Sequence, residues 1–235
     1  GVIMVINPYL QIVSNYNALQ TGFAMGFMGI PMFLFSLLTP KYLSHIHPKY
    51  ILRIGYLLLA IGVVPMSYSL LPAGVSKFMY LGLFLSGIGM GLVSSQCSNI
   101  VATATNTRDA EQSGGIQTTS RNIGQALGVA ILGMVMLFSL SSGWDSAIKK
   151  ESGLSNELKD RIRQERVAFK SDAAILEQFG QHTLLEKEKQ ILVKTNAEIR
   201  IHSTKYALYT MGLISVLFIL GTTGIENNLR KDDRK

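Results

Sequence analysis

Long stretches of this chain carry no charge. Lys, Arg, Asp and Glu are absent from 1–40, 54–76, 78–107, 122–144 and 206–225, runs of 40, 23, 30, 23 and 20 residues. About 20 apolar residues cross about 30 Å of hydrocarbon as an α-helix, so the first run holds one span plus part of another. Cysteine is nearly missing as well. The single Cys97 lies inside a run, which excludes an intrachain disulfide and a thiolate metal cluster. No carboxylate or histidine falls within a predicted span, so these spans supply no proton relay, and an acid for proton coupling would lie elsewhere. There is no GxSxG, P-loop or HExxH. His45 and His47 sit in a basic loop, and His182 and His202 lie without clustered acids or cysteines. No enzyme activity, cofactor or metal is expected. No signal-peptide n-region opens the chain; Gly1 already lies in an apolar run, and the sequence reads as the C-terminal part of something longer.

The composition that remains is 48% hydrophobic and 16% charged, with a net charge of +7. In a soluble protein that charge would suggest nucleic acid; beside apolar spans it reads as Lys and Arg flanking a bilayer. The expected fold is all-α, a polytopic membrane helical bundle. Residues 1–142 hold five spans, the first truncated (1–13, 21–39, 51–71, 78–102 and 122–140). Residues 143–205 form a charged segment, 206–225 the last span and 226–235 a charged tail. The short segments flanking one side of these spans hold three, two and four Lys/Arg (Arg53 counted with the first), against Lys77 alone on the other. The positive-inside rule then puts 40–50, 103–121 and the C-terminus in the cytoplasm and 143–205 outside, in an integral protein of the bacterial inner membrane.

Between Trp144 and Lys205 lie twelve Lys/Arg and ten Asp/Glu. Leu154, Leu158 and Ile162 keep helical spacing, Leu184, Leu185, Ile191 and Leu192 make a second amphipathic stretch, and Gly180 is a natural break. The segment predicts a helical hairpin, either a solvated connector or a lid where a periplasmic adaptor docks.

Function is sought in polar residues within spans, because polarity there is costly. Gly87, Gly91, Ser95 and Asn99 recur every four residues and share one helical face, which looks inward. The two glycines suit close helix packing or a cavity wall; Gln96 and Asn99 point to a pore or cavity. Gly124 and Gly128 repeat the small-residue spacing as a packing pair, as do Gly22 and Gly26. Asn7, Gln11 and Gln125 add polarity to the first and fifth spans, with Gln117 and Arg121 at the entry of the fifth, whereas the third and sixth have only Ser, Thr and Tyr. That asymmetry suits a bundle around a central pathway. Met25, Met28, Met32 and Met90 suit an adaptable binding surface or ordinary packing.

These residues carry a resemblance. Tyr9-Leu10-Gln11 with Asn17-Ala18-Leu19-Gln20-Thr21-Gly22, Leu85 to Leu92, Arg108 to Gly114, and above all Thr118 to Gly128 resemble motifs in the C-terminal half of EmrB/QacA-like fourteen-span drug:proton antiporters. Those are members of the major facilitator superfamily. Thr39–Tyr50 departs from the family's charged loop, with Ser44, His45 and His47 where Asp, Arg and Gly are usual, so the charge pairing of that gate is not carried over. The resemblance implies a C-terminal six-helix half working by alternating access with an N-terminal half of the same transporter. It implies small amphipathic or cationic substrates, and the proton gradient as energy source with no cofactor. The first, second, fourth and fifth spans would line the cavity, with Tyr9, Gln11, Gln96 and Asn99, then Asn7 and Gln117, as contacts. Arg121 would gate it, paired with Asp109 or Glu111. A carrier for one specific solute (siderophore, sugar or peptide) and a non-transporting scaffold acting through 143–205 remain open alternatives.

Overall fold

The computed structural model describes residues 1–72, 74–104, 110–150, 153–164, 169–179 and 185–224, with side chains except at 103, 104, 110–113, 163, 164 and 224. Its helices are α1 (Val2–Pro8), α2 (Ala18–Tyr42), α3 (Pro48–Ser69), α4 (Phe78–Ala104), α5 (Ala110–Lys150), α6 (Asn156–Gln164), α7 (Asp172–Phe179) and α8 (Glu186–Gly221). Five of these (α2, α3, α4, α5 and α8) are long and apolar enough to cross a membrane. The chain is an all-α, polytopic membrane bundle.

Helix boundaries follow from local chemistry. After Pro8, α1 passes into one π-helical turn over Tyr9–Val13. The α2 N-terminus is closed by a reciprocal cap. Asn17 Oδ1 accepts the Gln20 N–H at 2.8 Å, and Gln20 Oε1 accepts the Asn17 N–H at 3.0 Å. At α3, Pro48 occupies the first turn, where its missing N–H costs nothing, and His47 Nδ1 accepts the Lys49 N–H. A two-residue antiparallel pair, β1 (Leu70–Leu71) with β2 (Gly74–Val75), turns the chain from α3 into α4.

Packing contacts set the order α2, α4, α3, α8, α5 around the bundle. Val5, Ile6, Tyr9 and Leu10 of α1 and its π-turn share one core with Met28, Met66, Leu83, Leu132 and Leu208 from the five surrounding helices. Large apolar side chains such as Phe23, Phe33, Leu57, Phe138 and Leu217 stay exposed, which is where lipid would solvate them.

A second core is built by the charged segment. The end of α5 contributes Trp144 and Ile148, the turn before α6 Leu154, α6 Leu158 and Ile162, α7 Ile175 and Phe179, and α8 Leu192 and Ile199. Phe169 packs against both cores. Neither α5 nor α8 breaks where the charges begin; α5 continues to Lys150, and α8 starts at Glu186. Gly180 and Leu184 lie outside the described residues, as do the tail residues 225–235.

Candidate transport cavity

The site is positioned by α4, which touches two helices through glycines on different faces. A Cβ at Gly87 would stand 2.3 Å from Met28 O, and one at Gly91 would stand 2.6 Å from Met32 O, so α2 rides on this stripe backbone to backbone. The α3 contact uses another pair, reciprocally. A Cβ at Gly89 would meet Gly55 O at 2.5 Å and one at Gly82 would meet Gly62 O at 2.7 Å. Such approaches are open only to residues without a Cβ.

Beside this strut, α2, α4 and the start of α5 enclose an open cavity of about 760 Å³. Met32 and Ser36 wall it from α2, Met90, Val93, Ser94, Cys97, Ser98 and Val101 from α4, and Ile116, Gln117, Ser120 and Arg121 from α5. It lies in the half of the bundle nearer the 43–47 loop. Gln117 Nε2 donates to Ser98 Oγ at 2.9 Å, tying α5 to α4. Arg121 is exposed and is the only formally charged residue among the described residues lining the cavity.

The expected site residues separate into groups. Gln117 and Arg121 line the cavity, together with Met32 and Met90; Met28 is buried against α4, and Met25 flanks the central core. Tyr9 is fully buried, its hydroxyl donating to Leu71 O at 2.6 Å, which fastens the first span to the hairpin. Gln11 is exposed and donates to Asn7 Oδ1 at 2.8 Å. Gln96 is buried and its Oε1 has no partner among the described residues, as is also true of the hydroxyls of Ser86 and Ser95. Asn99 is exposed, next to the lining residue Ser98. Gly124 and Gly128, like Gly22 and Gly26, meet nothing within 4 Å among the described residues, so these stripes on α5 and α2 have no described helix against them. Asp109 lies outside the described residues. Glu111 is in the first turn of α5, ten residues before Arg121 and about 15 Å along the same axis.

Four lining residues, Ser36, Ser94, Ser98 and Ser120, were not singled out in the sequence. Their signal is weak, because a serine in an apolar helix can bond to its own backbone, as Ser215 Oγ does to Met211 O at 2.9 Å.

Where the two cores meet, Arg200 is 1% exposed. Its Nη2 lies 2.8 Å from Asp172 Oδ1 and its Nη1 donates to Lys170 O at 2.9 Å. Asn196 Nδ2 donates to the same Asp172 oxygen at 2.8 Å. Nearby, one carboxylate serves two helix starts. Glu188 accepts the Ser155 N–H ahead of α6 at 3.0 Å and the Leu185 N–H ahead of α8 at 3.2 Å. The Ser155 bond in particular holds the Glu188 carboxyl below its ordinary value of 4.5.

Together these features define an integral membrane bundle with an open, largely apolar cavity dotted with hydroxyls between its helices. The family follows from comparison with known proteins. The model of the Major Facilitator Superfamily matches residues 1–148, and the chain belongs to that superfamily, a transporter family. The match ends within α5, so α6, α7 and α8 lie beyond it. Comparison with curated proteins and with solved structures gave no match.

Proposed function

We propose that the chain is one six-helix half of a transporter that exports small amphipathic solutes by alternating access, driven by the proton gradient. The observation that carries this reading is the 760 Å³ cavity between α2, α4 and α5, walled by thioether and hydroxyl side chains. Two thioethers, Met32 and Met90, give a surface that repacks around varied shapes, which favours multidrug efflux over a carrier for one solute. The open glycine stripes of α2 and α5 suit a second, N-terminal half closing over the cavity. That half would hold the titrating carboxylate, since none lies in the charge-free runs. The basic 40–50 loop supports a cavity on the cytoplasmic side of a bacterial inner membrane, with the α6–α7 layer outside.

The test is transport by the protein reconstituted in vesicles under an imposed pH gradient, comparing wild type with Ser94→Phe. The bulky ring fills the cavity from α4, so efflux should fall sharply at unchanged membrane abundance. Undiminished efflux would remove this cavity from the pathway, and efflux that ignores the collapse of the gradient would refute proton coupling.

A further inference from the structure

We infer that the cavity takes an anionic amphiphile, with Arg121 as the counter-ion of its head group; the inference rests on the transport reading above. Arg121 is exposed on the cavity wall and has no ion-pair partner among the described residues. Arg121 stands at the entry of the fifth span, where a guanidinium with no carboxylate against it favours an anionic partner. None of the described residues lining this cavity is a carboxylate, so among them a cationic solute meets like charge without compensation. The neighbouring polar groups favour the same sign. The Gln117 amide already donates to Ser98 Oγ at 2.9 Å, which leaves the Ser98 O–H to donate in turn. Ser94 and Ser120 add two more hydroxyls to the same wall. Planar guanidinium geometry matches carboxylate and sulfonate oxygens two at a time, which an ammonium does not. An apolar body would lie against the thioether and aliphatic part of the lining, completing an amphiphile with its charge toward α5.

The anion could be a soluble solute or a lipid head group, and the assay separates the two. Reconstituted protein is loaded with taurocholate or with tetraphenylphosphonium, an amphiphilic anion and an amphiphilic cation, and counterflow of each is measured in phosphatidylcholine vesicles. Equilibrium binding of both probes is measured in nanodiscs of the same lipid. Taurocholate should bind saturably and tetraphenylphosphonium should not compete. Arg121→Gln should weaken taurocholate binding about tenfold to a hundredfold, the range of a lost charge-assisted bond. Arg121→Lys should recover part of that loss, which an effect on folding would not do. Added phosphatidylglycerol that competes with taurocholate assigns the site to a lipid head group; indifference to it assigns the site to a soluble anion. Preference for tetraphenylphosphonium, or unchanged taurocholate binding in Arg121→Gln, overturns the inference. Binding without counterflow of either probe retires the transport reading and leaves the anion site standing.

Discussion

Placing a methyl group at Gly87 tests the packing that shapes the cavity. In Gly87→Ala the new Cβ would lie 2.3 Å from Met28 O and 3.0 Å from both Met28 C and Met28 Cα. The obstacle is backbone on both sides, so no side chain can swing away, and α2 must move off α4 locally by about 1 Å. Overpacking of this kind costs about 1–3 kcal/mol. Against that stands the gain in helix propensity from Gly to Ala, at most about 1 kcal/mol. Gly124→Ala is the internal control, because nothing lies within 4 Å of its Cβ and only the propensity term acts. The two variants should therefore differ by about 1–3 kcal/mol, Gly87→Ala being the weaker. For a chain of this length that is a difference of roughly 2–12 °C in midpoint. Thermal unfolding in one detergent, followed by loss of the monodisperse peak in size-exclusion chromatography, measures it. Because α2 and α4 both wall the cavity, Gly87→Ala should also lower transport at a temperature where it remains folded. Equal or higher stability of Gly87→Ala relative to Gly124→Ala would refute the backbone-on-backbone contact.

Two further predictions concern the charged layer. Asp172→Ala removes the carboxylate from Arg200 and should destabilise by about 2–3 kcal/mol, less than a fully buried pair because Asp172 keeps solvent contact. Asp172→Ala with Arg200→Met should recover most of the loss in thermal unfolding, and a double variant no better than the single would contradict it. Glu188 has a lowered folded pKa, so its contribution is complete above its ordinary value of 4.5 and fades as pH falls through the lower folded value. Trp144, the single tryptophan, is buried in that layer and its emission should shift red on acidification below 4.5. Glu188→Gln should lose stability at neutral pH and part of the acid response; an identical titration curve in that variant would rule Glu188 out.

The membrane bundle was legible because missing charge is a physical consequence of lipid. The runs 54–76 and 78–107 contain most of α3 and all of α4. Charge marks the edge of a bilayer and not the end of a helix, however. Asp145, Lys149 and Lys150 do not stop α5, because Trp144 and Ile148 keep its inner face buried. The stripe of Gly87 and Gly91 was visible at four-residue spacing. The partnership of Gly82 and Gly89 with Gly62 and Gly55 was not, although both pairs sit seven residues apart and so return to one helical face after two turns. Gly124 and Gly128 keep the spacing of Gly87 and Gly91 and meet nothing. Spacing names a face and leaves its neighbour unspecified. Within the cavity, Gln117 and Arg121 stood out by polarity, while the serines were hidden by how cheaply an apolar helix accommodates a hydroxyl.

The unbroken course of α8 has a mechanical consequence. Its 36 residues make a rod of about 54 Å. One end carries Arg200 and Glu188 in the charged layer. At the other, the following Thr222 Oγ1 accepts a hydrogen bond from Arg53 Nε at 3.0 Å, and Thr223 O accepts one from Lys49 Nζ at 3.3 Å. The rod is stacked on α3 through Tyr56 and Phe218, with centroids 5.4 Å apart, so it is braced along its length. A binder that tilts the charged layer therefore applies torque to the far membrane face without entering the bilayer, and an antibody fragment raised against that layer becomes a handle on the opposite side.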